Sequence, residues 1–406
     1  MKTLSYHYDL PRLGLTIAAG KIDRRAYNAK FSMVYFNEFP TPKLPREDFV
    51  RVKNIQTGIC GSDMSLYTAH QSPKMSLAML PSYQTDTYMG HETVGIVQEV
   101  GSEVKDLAVG DRVVIQKYLP CCATKGIPEE DWCDNCKKED YVICTRMGEA
   151  PQKDHVIGAG MGDEYLAPAS CVMKIPDSIS NDYAMMIEPC AVSIHAVSKK
   201  IPNPGDKVVV LGGGMIGLNV VQFIKMFQPD CTVYLLEKSP MKQEIALRVG
   251  ADEIIKGNPY EFLAPRTGGT LYTDKFNKKN QWLMNGADIV FDTIGAQWAF
   301  NMGLRLLKAR GTYVKVGIQM VPTTIDETPI WNQELNIIGV DSYGLDEYEG
   351  QKYQSFKLIR KLMEENKIDL EGYITHRFPL SEYKQGFSQV LFNGNDTIKV
   401  ALECTK

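Results

Sequence analysis

The stretch VVVLGGGMIGLNVVQFI, residues 208–224, leaves little freedom in how the chain around it folds. A short continuous apolar run suits a parallel strand covered on both faces. It runs into Gly212, Gly214 and Gly217, spaced G-x-G-x-x-G, and then into a helix-like segment. Glycines there let the turn tighten and let backbone amides approach a pyrophosphate. The helix that follows adds positive partial charge at its N-terminus. Met215 and Ile216 complete this turn and belong with the candidate cofactor contacts. The same spacing also occurs in a plain strand–helix turn, so its context matters. The next strand-like run, TVYLLE, ends at Glu237, twenty positions past Gly217. An acid there can accept both ribose hydroxyls of NAD and would repel a 2′-phosphate. Lys238 and Lys242 stand close enough in sequence to contact a phosphate, which keeps NADP as the second choice.

Around this unit the pattern alternates. The strand-like runs KVVVLGG, TVYLLE, ADIVFDTIG, GTYVKVGI and LNIIGVDSY are separated by helix-like MIGLNVVQFIKMF, SPMKQEIALRVG and AFNMGLRLLKA. Such alternation predicts a parallel, doubly wound sheet. The first third instead carries short strand-like segments bounded by turns, FVRVKNIQTGI, HETVGIVQEVG and DRVVIQKYL. It predicts a mostly-β domain over residues 1–175. Residues 176–340 form the dinucleotide domain, and 341–406 return to the first with a helix, YQSFKLIRKLMEENK, and a strand, IKVALEC. A chain of 406 residues exceeds one typical core, which agrees with two domains. The net charge of −4 offers no general field for nucleic acid or anionic membrane. No run of about eighteen apolar residues predicts a membrane span, and the polar start MKTLSYHYDLPR argues for a cytoplasmic protein.

Five of the ten cysteines crowd into CCATKGIPEEDWCDNCKKEDYVIC, residues 121–144. Ten in 406 residues is sparse for a disulfide scaffold, and in a reducing compartment a cluster points to metal or catalysis. Upstream stand Cys60 in GICGSD and the His91–Glu92 pair in MGHETVGIV. Thiolate, imidazole and carboxylate suit zinc. Cys60 and His91 are 31 positions apart, so only folding could bring them together. A buried cysteine and a core histidine fit the same residues.

The ordered segments GICGSD, GHETVGIVQEVGSEV, VGDRV, EPCAVSIHAV and VVVLGGGMIG resemble the zinc-dependent medium-chain dehydrogenase/reductase family, above all its sorbitol (polyol) dehydrogenase branch. The resemblance runs from about Phe49 to the end. It implies a GroES-like mostly-β catalytic domain beside the Rossmann domain. It also implies hydride transfer between a secondary alcohol or polyol and NAD, and a homodimer or homotetramer. By this resemblance Cys60 and His91 hold a catalytic zinc, with Glu92 as a further ligand and Glu188, ahead of Cys190, as a ligand or the holder of its water. Asp63 orients the His91 ring by a hydrogen bond, and Ser62 passes the substrate proton outward. Where relatives place a histidine after CGSD, this chain has Met64-Ser65, and His70, Tyr67 or Tyr88 could take its place. Val316 and Gly317 face the nicotinamide, and His195 is structural. Cys133, Cys136 and Cys144 repeat the C-x2-C-x7-C of the family's structural zinc lobe. Cys121 is the first ligand, with neighbouring Cys122 as its competitor. The loop QSPKMSLAMLPSYQTDTYM has Lys74 as its one basic residue and lines the substrate mouth, which favours a neutral substrate.

Two other classes compete. A zinc-free reductase acting on quinones or enoyl thioesters needs the dinucleotide unit but not Cys60, His91 and Glu92. A nucleic-acid-binding zinc ribbon should carry a basic stripe, yet the cysteine-rich stretch contains Glu129, Glu130, Asp131 and Asp134.

Overall fold

The computed structural model describes residues 1–6, 9–70, 74, 87–116, 127–146 and 157–404. The chain divides into two compact units, Met1–Glu188 with Phe356–Lys406, and Pro189–Ser355.

The first unit is built on a seven-stranded sheet. Its path runs Ile374–Pro379, Lys399–Glu403, Phe49–Gly58, Glu92–Val100, Arg112–Ile115 and Val172–Lys174, while Glu164–Pro168 also pairs with Phe49–Gly58. Valines and aromatics at inward positions, among them Val50, Val52, Val97, Val113 and Tyr165, form one core beneath it. The strands register so that Gly58 lies opposite Glu92 on one side and Ala401 on the other. This brings the ends of three strands remote in sequence to one place.

Within this mostly-β unit the chain also forms a 13-residue helix, Leu10–Ile22, which the β reading of residues 1–175 did not anticipate. Asp9 caps it, its side chain accepting from the Arg12 amide, and Pro11 sits in the first turn. Leu13 and Ile17, one turn apart, bury its inner face in a second core with Leu4, Tyr67 and Phe387. A small sheet places Lys2–Tyr6 between Val34–Glu38 and Thr87–Tyr88.

The second unit is a six-stranded sheet, parallel throughout. Its order is Glu253–Ile254, Thr232–Leu236, Lys207–Leu211, Ala287–Asp292, Leu307–Lys315, Asn336–Gly339. That is 3-2-1-4-5-6 in chain order, the doubly wound arrangement of dinucleotide-binding folds. Val208, Val209, Val210 and Leu211 are wholly buried, as a strand covered on both faces requires.

Two features here depart from the sequence reading. The helix expected through AFNMGLRLLKA stops at Arg305, and Leu307 already begins a strand. Two antiparallel hairpins, Thr270–Thr273 with Gln281–Met284 and Leu345–Tyr348 with Gln351–Gln354, stand beside the parallel sheet. The second turns on Glu349 and Gly350, both with positive φ, which matches the twist of the flanking strands.

Candidate active site

Cys60 is the N-cap of the helix Gly61–Tyr67, with an extended backbone. Its amide donates to Asp63 Oδ2 at 2.9 Å, closing the first turn of GICGSD. His91 and Glu92 come from the opposing strand Glu92–Val100 and the residue before it. One donor atom each from Cys60, His91 and Glu92 lies within 4.8 Å of the others. A Cβ at Gly58 would collide with the Glu92 carboxylate, so glycine leaves that side chain its place.

The electrostatics of this cluster are strained. Burial and the Glu92 charge push the Cys60 thiol up to about 11, although Lys399 and a hydrogen bond with Ser62 work the other way. Glu188, at the start of the helix Ile187–Lys199, is pushed up to about 8. Burial is the main cause; nearby His91 opposes it, and the charges of Cys60 and Glu92 add to it. His91 Nδ1 is buried without a hydrogen-bond partner. Its nearest carboxylate oxygen, Asp63 Oδ1, stands 3.9 Å away, too far for the hydrogen bond expected of Asp63.

One member of the cluster was not visible in the sequence. Lys399 Nζ donates to Glu92 at 2.7 and 2.5 Å and to the Ile59 carbonyl at 3.2 Å. Burial penalises its ammonium, but Glu92 outweighs that and holds Lys399 above lysine's ordinary range. No periodicity or spacing signals a partner 307 positions away; only the strand register delivers it.

A half-buried soft thiol beside a buried imidazole and carboxylate, with one ring nitrogen unpaired, fits a zinc ion. Glu92 would have to yield one oxygen from Lys399 to join Cys60 and His91 as a ligand. Glu188 stands outside the 4.8 Å group, near enough to feel its charges.

The second cysteine cluster lies in a separate lobe. Cys133, Cys136 and Cys144 also place their sulfurs within 4.8 Å of one another, with Cys133 and Cys144 3.8 Å apart. Burial opposes ionisation there, yet the amides of Cys136 and Thr145 bring the Cys133 thiol down to about 6. Such thiolates suit a tetrahedral structural zinc. Cys121 and Cys122 lie outside the described residues, as does most of the loop at residues 71–86. Among the described residues no disulfide forms.

In the second unit Gly212 has φ +96°, a conformation that favours glycine, and a Cβ at Gly217 would strike the Gly212 carbonyl. Gly214 is the N-cap of the helix Met215–Phe227, which begins Met215, Ile216. The Glu237 carboxylate closes over this turn. It accepts from the Gly213 amide at 2.9 Å, and from the amides of Lys238 and Ser239 at 2.7 and 2.9 Å. Lys242 is mostly buried in the first turn of the next helix, where its amide meets the Ser239 cap. Val316 and Gly317 both donate their amides to the Asp292 carbonyl, at 3.0 and 2.8 Å. The Asp292 side chain, wholly buried, gathers the amides of Ile294 and Gly295, the Tyr313 hydroxyl and Lys315. The sequence reading passed over Asp292 as one residue of a strand. It sits at the carboxyl end of the central strands, where the order reverses and ligands of such sheets bind. His195 is buried, 2.7 Å from Asp346, which fits the structural role expected of it.

A doubly wound dinucleotide unit joined to a β unit bearing a thiol–imidazole–carboxylate cluster defines a metal-assisted, nucleotide-linked oxidoreductase. Residues 46–177 match the alcohol dehydrogenase GroES-like domain and residues 216–355 the zinc-binding dehydrogenase domain. The chain belongs to the zinc-dependent medium-chain dehydrogenases, an enzyme family of alcohol and polyol oxidoreduction. Among its relatives is L-idonate 5-dehydrogenase of Vitis vinifera, 28% identical over 88% of this chain and 87% of the relative. D-xylulose reductase A of Aspergillus oryzae is 28% identical over 88% of this chain and 90% of its own length. The fold is also that of 2R,3R-butanediol dehydrogenase from Bacillus subtilis, at TM-score 0.68, 24% identity, and 91% and 96% coverage of the two chains. Among the described residues no helix is long and apolar enough to cross a membrane.

Proposed function

We propose that this chain oxidises a neutral secondary alcohol or polyol with NAD, using zinc held by Cys60, His91 and Glu92. The observation that carries the reading is the convergence of those three donors, a half-buried thiol with a buried imidazole and carboxylate. Zinc there supplies Lewis acidity, making a substrate hydroxyl a stronger acid. Ser62, hydrogen-bonded to the Cys60 sulfur at the start of its helix, takes the hydroxyl proton toward solvent. NAD held by the second unit would supply the acceptor for the substrate's hydride, leaving a ketone, reduced cofactor and a proton. Glu188 holds water or joins the ligand set. Gly212, Gly214, Met215, Ile216 and Gly217 cradle the pyrophosphate, Glu237 binds the ribose, and Val316 and Gly317 face the nicotinamide. Cys133, Cys136 and Cys144 would hold a structural zinc that stitches the lobe, with the fourth ligand expected from Cys121 by the family resemblance.

Support for a secondary hydroxyl on a polyhydroxylated chain comes from relatives named for idonate, a sugar acid, and xylulose, a ketose. The homodimer or homotetramer is favoured by apolar side chains exposed on the second unit: Trp331, Ile337 on the edge strand, and Ile318. The low cysteine content, ten in 406 residues, favours a reducing, cytoplasmic setting.

A panel of sugar alcohols, diols and amino alcohols with NAD and NADP, followed by absorbance of the reduced nicotinamide, tests the reading. Turnover with a neutral polyol and NAD is expected, and Glu237→Ser should erode the preference for NAD over NADP by about tenfold. Activity confined to quinones or enoyl thioesters would overturn the substrate class. An unchanged preference in Glu237→Ser would remove the ribose contact.

A further inference from the structure

The helix that carries Ser62 and Asp63 is only seven residues long, Gly61–Tyr67. Isolated helices below about 12 residues do not hold their shape in water. Its two ends must therefore be fixed from outside. Asp63 secures the first end at Cys60. The last residue, Tyr67, is 1% exposed and lies against Phe387, ring centroids 4.4 Å apart. Its hydroxyl donates to Asn28 Oδ1.

Asn28 is itself held twice. Its Nδ2 donates to Ser388 Oγ at 2.9 Å, and its carbonyl accepts from Lys384 Nζ at 2.7 Å. The same short helix, Arg24–Asn28, is tied again where Arg24 Nη2 donates to the Leu391 carbonyl at 3.0 Å. All of these anchors lie on the helix Tyr383–Phe392. Asn28 thus links the helix behind Cys60 to the last α-helix of the unit. It precedes residues 46–177, the part of the chain that matches the GroES-like domain.

We infer that Asn28 and Tyr67 are positioning residues for the reaction, a clamp that sets where Cys60 and Ser62 stand relative to His91 and Glu92. The inference rests on the metal reading of the Cys60 cluster given above. Cys60 and Ser62 ride on the clamped helix, whereas His91 and Glu92 ride on the opposing strand. A shift of the helix changes the distance between the two halves of the ligand set, and a misplacement of about 1 Å can cost up to a hundredfold in rate. The Tyr67 hydroxyl is spent on Asn28, so it serves as an anchor and not as the proton relay considered for it.

The test replaces zinc by cobalt in the full-length protein and follows its visible absorption. The spectrum of Cys60→Ser is subtracted to isolate the cluster's own band. Tyr67→Phe and Asn28→Ala should each lower kcat about tenfold with KM changed less than about twofold, and each should shift that band. Asn28→Asp keeps the acceptor and should restore both. Lowered Tm with kcat and band unaltered would show a merely structural contact and overturn the clamp. If Tyr67→Phe fails to fold, the Asn28→Ala and Asn28→Asp pair decides alone. A wild-type protein without any Cys60-dependent band sinks the metal reading and the clamp with it; a band that is present but indifferent to these variants sinks the clamp only.

Discussion

Cys133, Cys136 and Cys144 lie within twelve residues, in a lobe whose own amides stabilise the Cys133 thiolate. Cys60, His91, Glu92 and Lys399 come from distant parts of the chain, meet at one end of a sheet, and crowd acids together in a buried place. The local cluster is already poised to bind a cation. In the assembled one Cys60 and Glu188 resist ionisation although the Lys399 ammonium stands beside them. The difference suits the two tasks. A structural site gains from ligands that are ready at neutral pH. A catalytic site gains from a field that a single cation dominates.

Thiol chemistry on metal-stripped protein should separate the two most widely. Alkylation mapped by mass spectrometry across pH should give Cys133 a midpoint of about 6 and Cys60 one of about 11, a gap of five pH units. The sign follows from the surroundings. Backbone donors favour the Cys133 thiolate, so it reacts above pH 6. Burial and Glu92 disfavour the Cys60 thiolate, so it stays protonated and slow below pH 11. Equal midpoints would break the comparison.

Lys399→Met should come next in size. It leaves Glu92 buried beside no cation and should cost metal-free protein roughly 3–5 kcal/mol of stability. With zinc bound the loss should shrink, because a second cation then faces the carboxylate. Urea midpoints with and without chelator measure both. An equal loss in the two conditions would mean that Glu92 does not face the metal.

What the sequence disclosed follows the same division. The dinucleotide unit was legible because strand, glycine turn, helix and acid are contiguous, and the structure places Glu237 on the Gly213 amide. Cys133, Cys136 and Cys144 were legible because their spacing is local. Cys60, His91 and Glu92 were visible as ligand types but joined into one site only through resemblance, since their meeting is a matter of strand register. Lys399 was invisible for that reason, and Asp292 because a strand-end acid looks like any other. The helix Leu10–Ile22 escaped because its apolar stripe is short and interrupted by Gly14 and Gly20. The relation expected between Asp63 and His91 is seen only as proximity, at 3.9 Å.

The central claim, a catalytic cation gripped by the assembled cluster, is tested most directly by metal analysis of purified wild type and Cys60→Ser alongside their turnover. The account predicts that the variant carries one zinc fewer per chain, keeps its lobe metal, and loses polyol oxidation. A variant with undiminished zinc, or with activity equal to wild type, would contradict it.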